Sequence, residues 1–263
     1  PSDYFNTKLY TGTGSSNAIT GVGFQPDWVW IKSRSDALSH ALFDVIRGTT
    51  KVLNSNATTA EYTNTDTLTA FGTDGFTVGS NTGVNTDGQT RVAWNWKAGT
   101  SFTNDASGTG IGSIDSAGSV NTDAGFSIVK YNSSRSPSPV QTVAHGLGVT
   151  PDMLIFKNLD ESQNWLVWHK DIATNKHLNL NTTSALNTDA GSLNNTAPTS
   201  SVFTIGADGR TNSTTNGNPI ICYAFAGKQG YSKFGSYTGN GSTDGAFVYT
   251  GFKPAFVIAK DTS

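Results

Sequence analysis

A ten-residue phrase that occurs three times limits what this chain can fold into more than any other feature. The phrase occupies residues 23–32, 148–157 and 251–260. Each copy has a glycine, two residues, a proline, one residue, four consecutive apolar residues and a lysine. Proline lacks a backbone N–H and suits the start of a strand. Four apolar residues of mainly β-branched and aromatic types are typical of a strand buried on both faces. The phrase therefore predicts a repeat protein built around an interior strand.

The repetition extends beyond this phrase. An offset of 125 residues separates Pro26 from Pro151 (151 − 26), and the same offset recurs at lysine, leucine and asparagine positions further along. The aromatic strand predicted at residues 92–96 has its counterpart at 221–225. The chain is also rich in Gly, Thr, Ser and Asn, which favour turns and short strands over helices. We predict an all-β fold of tandem antiparallel β-sandwich repeats, jelly-roll-like in type.

The offset also divides the chain into segments. Residues 1–99 are predicted to form the first β-sandwich repeat, and residues 125–230 the second. Residues 100–124 between them are nearly all Gly, Ser, Thr, Asn, Asp and Ala, which predicts a flexible linker. Residues 231–263 are predicted to be the start of a third, incomplete repeat. Because a two-strand start is not stable alone, we expect that the chain continues past Ser263 or that these strands complete another unit.

Charge and hydropathy exclude several classes of protein. The net charge is −2 and no basic patch stands out, so we expect no nucleic-acid partner. No run of 18 apolar residues occurs, so no membrane insertion is expected. The single cysteine, Cys222, cannot form an internal disulfide and is predicted to be a small buried hydrophobe. The sequence has no signal peptide and no Met at position 1, which indicates a processed chain or a fragment.

The residues that could carry metal or acid–base chemistry form no recognisable site. The four histidines have no metal-site spacing, and a His40–Asp44 dyad is less favoured than a surface loop histidine. Asn85, Asp87 and Asp66 weakly resemble a calcium loop, with an ordinary Asx turn as the favoured alternative. We predict no catalytic residues, no cofactor and no metal.

Two features of the second repeat could contact or cleave a polysaccharide. Asp160 and Glu161 are adjacent acids in a predicted turn, and glycosidases need two carboxylates that face one cleft. Short hairpins imply no such cleft, so enzyme activity is not expected. Trp165 and Trp168 have no tryptophan counterpart at the same place in the first repeat, which has Ala41 to Asp44 there. Trp168 is predicted to be core, and Trp165, predicted to be half exposed, is a candidate glycan contact.

Several longer phrases resemble one known family, the repeated β-rich domain of bacteriophage tail fibre proteins, common in phages of aquatic bacteria. The phrases are residues 20–27, 68–79, 92–99, 179–183, 196–204 and 233–241. The resemblance covers essentially the whole chain. It implies a non-catalytic structural protein of the virion, placed in the tail fibre or on the head surface. It also implies a homo-oligomer such as a trimer, which contacts other virion proteins and a host surface glycan or protein.

Two other classes of function remain open from the sequence. One is a head decoration or fibre protein of a phage, or a bacterial surface adhesin. The other is a polysaccharide depolymerase of the tailspike type, which should show a long parallel β-helix with short regular rungs. The period here is near 125 residues, which disfavours the second class.

Overall fold

The computed structural model describes residues 2–135 and 138–263 of the chain. Regular structure in these residues is almost entirely β-strand, joined by turns and two single helical turns. The strands pair antiparallel throughout the named ladders. The predicted all-β, sandwich-type fold is confirmed.

The first repeat consists of one main sheet, one small sheet and a two-stranded sheet of Lys51–Val52 and Tyr62–Thr63. Its elements are β1 Phe5–Thr11, β2 Asn17–Thr20, β3 Trp28–Ser33, β4 Ala41–Asp44, β5 Lys51–Val52, β6 Tyr62–Thr63, β7 Leu68–Gly72, β8 Gly75–Val78, α1 Thr82–Asn85 and β9 Thr90–Trp96. The main sheet has the order β1-β9-β3-β4, and the small sheet has the order β2-β8-β7. The proline-led strand β3 thus lies inside its sheet, as predicted.

The second repeat has the same plan on a wider sheet. Its elements are β10 Thr100–Asn104, α2 Ala106–Thr109, β11 Ser116–Asn121, β12 Phe126–Asn132, β13 Gln141–Ala144, β14 Met153–Asn158, β15 Leu166–His169, β16 Lys176–Asn179, β17 Asn187–Thr188, β18 Val202–Ile205 and β19 Pro219–Phe225. The main sheet has the order β10-β11-β12-β19-β14-β15-β16-β17, and β13 pairs with β18 in a small sheet.

The two repeats agree in topology and in register. β3 lies between β9 and β4, and β14 lies in the same way between β19 and β15. Trp28 stands opposite Trp96 in β9, and Met153, 125 residues later (153 − 28), stands opposite Phe225 in β19. The predicted repeat is therefore present in the backbone of the central strands.

The two repeats do not form two separate sandwiches, because they share a core. One face of each main sheet packs on the small sheet of its own repeat, with Val29 and Phe76 in the first repeat and Phe156 and Phe203 in the second. The opposite faces of the two main sheets pack on each other in one cluster of buried side chains. This cluster includes Trp28, Trp30, Trp96, Phe126, Ile128, Trp165, Tyr223 and Phe225. Each main sheet is therefore covered on both faces, which explains its runs of buried residues.

Residues 100–124 are part of a sheet, so the prediction of a flexible linker is wrong. β10 pairs with β11 along five residues, and β11 pairs with β12 along six, so the two strands extend the second repeat's sheet. A side-chain carbon at Gly118 would come within 2.0 Å of the Ile128 carbonyl oxygen, so only glycine allows this close approach. Backbone hydrogen bonds and close contacts at small side chains stabilise these strands, so they need few apolar side chains.

Residues 233–263 contain no strand, although they repeat the start of the first unit in sequence. The segment lies against both repeats. Phe256 packs on Trp94 and Trp96 of the first repeat, at ring distances of 5.5 Å each. Lys260 Nζ donates to the Thr182 carbonyl of the second repeat at 2.9 Å.

Candidate functional site at the junction of the repeats

The centre of the junction is a stack of aromatic rings from four strands. Trp28 of β3 stacks on Tyr223 of β19, with ring centroids 4.4 Å apart and planes 19° apart. Trp96 and Phe126 lie 4.4 and 5.7 Å from Trp28. Each strand alternates side chains between its two faces, which places these rings on the face that meets the other repeat. Aromatic pairs of this kind add about 0.5–1.5 kcal/mol each beyond the burial of their area.

A buried ion pair lies beside this stack. Asp44, at the end of β4, is fully buried, and Arg47 Nε donates to its Oδ2 at 2.5 Å. Tyr223 Oη of the other repeat donates to the same oxygen at 2.7 Å. Burial raises the pKa of Tyr223 well above its usual value, and the Asp44 carboxylate raises it further. Arg47 also pairs with Glu61 at 3.1 Å. The carboxylate thus ties one repeat to the other.

His40 and Asp44 do not form a dyad. His40 Nδ1 accepts a hydrogen bond from Trp30 Nε1 at 2.7 Å. The hydrogen bonds of the Asp44 carboxylate come from Arg47, from Tyr223 and from the N–H of Ile46. Asp44 therefore stabilises the junction instead of acting as a partner for a general base.

The structure corrects the expectation for Trp165. Its ring is fully buried at the junction, where Nε1 donates to the Asn54 carbonyl of the first repeat at 2.9 Å. A ring without exposed surface cannot stack on a sugar from solvent, so the candidate glycan contact at Trp165 is wrong. Trp168 is buried, as predicted. The 125-residue offset from His40 to Trp165 (165 − 40) could have shown that the two residues are equivalent, since each comes directly before a strand of its main sheet.

The two adjacent acids of the second repeat are not arranged as a catalytic pair. Asp160 is exposed in the turn after β14, whereas Glu161 is half-buried. Glu161 Oε1 accepts hydrogen bonds from Ser213 Oγ at 2.6 Å and from Asn218 Nδ2 at 3.0 Å. Glu161 therefore holds the loop before β19 in place, and the two carboxylates face different surroundings.

A second polar cluster went unnoticed in the sequence. Ser192 Oγ lies 3.5 Å from His177 Nδ1 and 3.3 Å from Asp208 Oδ2, and Ser192 and His177 are both buried. Arg210 Nη1 lies 2.7 Å from His177 Nε2. Because guanidinium can only donate, Nε2 must accept and the proton of the neutral ring sits on Nδ1. Burial and the nearby Arg210 charge lower the pKa of His177 to about 4. With Nδ1 protonated, the imidazole cannot take a proton from Ser192, so these residues do not form an activated nucleophile.

The loop at Asn85 is held by amide contacts. Asn85 is fully buried, its Oδ1 accepts from the Thr13 N–H at 2.9 Å, and its Nδ2 donates to the Gly79 carbonyl at 2.7 Å. These contacts join the loop to distant residues and form neither a calcium loop nor an Asx turn at Asn85, whereas the Asn81 Oδ1 just before it accepts from the Gly83 N–H at 2.8 Å in an Asx turn. In residues 2–135 and 138–263, no group of three or more His, Cys, Asp or Glu side chains is placed to hold a metal ion.

A shallow groove on the first repeat combines an aromatic ring with amides and hydroxyls. Its volume is about 260 Å³, and it is lined by Ser39, Asn54, Tyr62, Asn81 and Thr82 among others. Tyr62 is 41% exposed. A flat ring beside side-chain donors and acceptors is the chemistry that binds a sugar ring, through its apolar face and its hydroxyl groups.

Comparisons with known proteins give one match. A family model described as "Domain of unknown function (DUF7483)" matches residues 1–263. No curated protein and no solved structure matches this chain. The helices in the described part of the chain are single turns, and none could cross a membrane.

Proposed function

Because the chain belongs to the DUF7483 family, whose description names no activity, we propose a function from the geometry of the junction and the resemblance of the sequence phrases. The protein is a non-catalytic structural module of a phage virion fibre that presents its surface to the host. Its partners are other copies of itself, neighbouring virion proteins and a host surface glycan or protein. The same stiff module would also suit a head fibre or a bacterial surface adhesin.

The shared core of the two repeats is the observation that carries this proposal. Trp28, Tyr223 and the Asp44–Arg47 pair join the repeats through buried contacts, and residues 100–124 leave no free linker between them. Separate domains on flexible linkers move independently, whereas two sheets with one core move together. A stiff body of this kind suits a fibre, which must transmit position and force along its length.

The groove at Tyr62 is our candidate for the host contact, in place of Trp165. Single contacts at shallow polar grooves are weak, and an oligomer multiplies them through effective concentration. The proposal therefore includes self-association, with a trimer as the expected state, and light scattering of the purified chain measures it.

Immunogold labelling of whole phage particles tests the location. Antibodies raised against the purified chain should label the tail fibres in negative-stain images. Labelling of the head surface would favour the decoration-protein alternative, and the absence of labelling on any part of the particle would contradict a virion protein.

Binding and cleavage are tested together on host surface polysaccharide. We expect binding without new reducing ends, and we expect Tyr62→Ala to weaken it. Tyr237→Ala is the matched control, because that ring is 62% exposed and lies outside the groove. Steady release of oligosaccharide that stops when Asp160 and Glu161 are changed to amides would instead establish a depolymerase.

A further inference from the structure

The segment of residues 231–263 contacts the two complete repeats in the same way as those two repeats contact each other. The offset from the first phrase to the third is 228 residues, from Pro26 to Pro254 (254 − 26). The offset from the second to the third is 103 residues, from Pro151 to Pro254 (254 − 151). These offsets identify which residue of the segment corresponds to which residue of the complete repeats.

The first shared contact is a lysine that reaches the preceding repeat. Lys157 Nζ of the second repeat donates to the Thr58 carbonyl of the first at 2.9 Å. Lys260, 103 residues later, donates to the carbonyls of Thr182 and Ser184, at 2.9 and 3.1 Å. These carbonyls flank residue 183, which is the position 125 residues after Thr58. The lysine contact between repeats one and two is thus repeated between repeat two and the segment.

A backbone hydrogen bond is repeated beside each lysine. The Glu61 N–H donates to the Leu159 carbonyl at 2.8 Å, and the Leu186 N–H donates to the Thr262 carbonyl at 3.2 Å. Leu186 follows Glu61 by 125 residues, and Thr262 follows Leu159 by 103 residues, so both partners are equivalent. Two independent contacts therefore place the segment on repeat two as repeat two is placed on repeat one.

The second kind of shared contact is aromatic. The ring of Trp28 in repeat one lies on a set of three rings of repeat two: Phe126, Tyr223 and Phe225. The ring of Phe256, the equivalent of Trp28, contacts the matching three rings of repeat one, in edge-to-face or tilted geometry: Phe5, Trp94 and Trp96. The segment thus meets repeat one in the way that repeat one meets repeat two. These contacts form a cycle of three members, with the segment as the third.

The third member has no middle strand. In the complete repeats the aromatic strand, β9 or β19, lies between the first strand and the proline-led strand. Within the described residues both aromatic strands are already paired in this way, and residues 233–263 have none. The apolar side chains that such a strand and its small sheet would cover are open to solvent. Phe247 is 90% exposed and Val257 73%, whereas their counterparts Ile19 and Val29 are 5% and 0% exposed.

We propose that residues 231–263 form a strand-addition site. It takes an extended segment with aromatic residues at alternate positions, of the β9 type, as the middle strand of a third sheet in the cyclic core. Backbone hydrogen bonds to the proline-led strand would give affinity, and the alternate aromatic rings would give specificity. The site is already held in position by Lys260, Thr262 and Phe256.

The probe is a synthetic peptide with the sequence of residues 89–97, added to the full chain. The measurement is amide hydrogen exchange, resolved by segment. When the added probe occupies nine-tenths of the sites, amide exchange in the fragment of the protein that contains residues 256–261 should slow about tenfold. A probe in which Ser replaces the residues corresponding to Trp94 and Trp96 should bind at least about tenfold more weakly, because it lacks both rings.

A pair of variants separates this site from binding elsewhere. Val257→Asp places a charge on the exposed apolar face and should abolish the protection. Val149→Asp is the control, because Val149 is also exposed, at 42%, but lies outside the segment. Protection that survives Val257→Asp, equal binding of the serine probe, or no binding at all would overturn the proposal. Slow exchange that depends only on protein concentration would show a second copy of the chain on this face, and would overturn it too.

Discussion

The two complete repeats share the order of their four central strands but have different side chains at equivalent positions of the junction. Where the first repeat has Asp44 in a buried ion pair, the second has the half-buried His169, whose Nδ1 lies 3.9 Å from Asp171 Oδ2. Where the first has His40, the second has the buried Trp165. The repeats meet different neighbours, so the side chains that face a neighbour differ although the strands do not.

The side chains that both repeats share act on their own backbone. Asp27 Oδ2 accepts from the Ala98 N–H at 2.7 Å, and Asp152 Oδ2 accepts from the Gly227 N–H at 2.6 Å. Lys32 and Lys157 each donate to carbonyls of the turn that follows their strand. These contacts fix the start and the end of the proline-led strand. The comparison therefore separates residues that build a repeat from residues that join repeats, except that Lys157 does both, because its Nζ also donates to the Thr58 carbonyl of the first repeat.

The largest expected effect is at the first position of the proline-led strand. Trp28→Ala should lower the free energy of unfolding by about 3–5 kcal/mol, because it empties a buried site at the centre of the stack. Met153→Ala, at the equivalent position, should cost less than about 2 kcal/mol because Met153 is only half-buried. Urea unfolding of both variants measures the difference. Equal losses would mean that the junction does not depend on the tryptophan stack.

The next effect tests the ion pair. Asp44→Ala leaves the Arg47 guanidinium buried without that carboxylate, and removal of one partner of a buried pair costs about 3–5 kcal/mol. His169→Ala, the matched change in repeat two, should cost about 1 kcal/mol, because it removes one hydrogen bond from the Asp171 N–H, 3.2 Å long, and leaves no buried charge without a partner. The two variants are compared by the same unfolding measurement. A small loss for Asp44→Ala would show that water reaches Arg47 and replaces the carboxylate.

The sequence predicts the repeat and its interior strand, because both depend on local patterns. The proline, the four apolar residues and the lysine describe a strand covered on both faces, and Trp28–Ser33 is such a strand. The pattern cannot say what covers each face. The partner of Asp44 is Tyr223, 179 residues further along the chain (223 − 44), and no local pattern joins the two. The shared core was therefore missed.

Composition misleads in two places for a physical reason. Residues 100–124 have few apolar side chains, but strands at the side of a sheet can be held by backbone hydrogen bonds, as β10 and β11 are. Trp165 is next to polar residues in sequence, but its ring enters the junction and its N–H finds the Asn54 carbonyl. In both cases the stabilising partner is supplied by residues distant in the chain.

Two tryptophans of the second repeat show what the Asn54 contact contributes. Trp165→Phe and Trp168→Phe remove the same ring atoms from buried sites, but Trp168 Nε1 has no hydrogen-bond partner, whereas Trp165 Nε1 does. Trp165→Phe should therefore be the more destabilising by about 1 kcal/mol, the net value of one hydrogen bond. Urea unfolding measures this difference. If Trp168→Phe cost as much or more, the Asn54 contact would contribute nothing to stability.

The last comparison uses pH, because His40 can gain a proton whereas Trp165, at the equivalent position of the second repeat, cannot. Burial lowers the pKa of His40 to about 4, and the Lys32 charge adds to this, compared with an ordinary value of 6.5. The folded protein therefore binds fewer protons than the unfolded chain between these two values. The contribution of His40 to stability is complete above pH 6.5 and is lost as the pH falls towards 4. His40→Gln can keep an acceptor for Trp30 Nε1 but cannot titrate. The unfolding free energy of the wild type should thus fall more steeply with decreasing pH than that of the variant, and the gap between them should narrow from pH 7 to pH 4. Parallel curves across this range would show that His40 takes up its proton equally in both states.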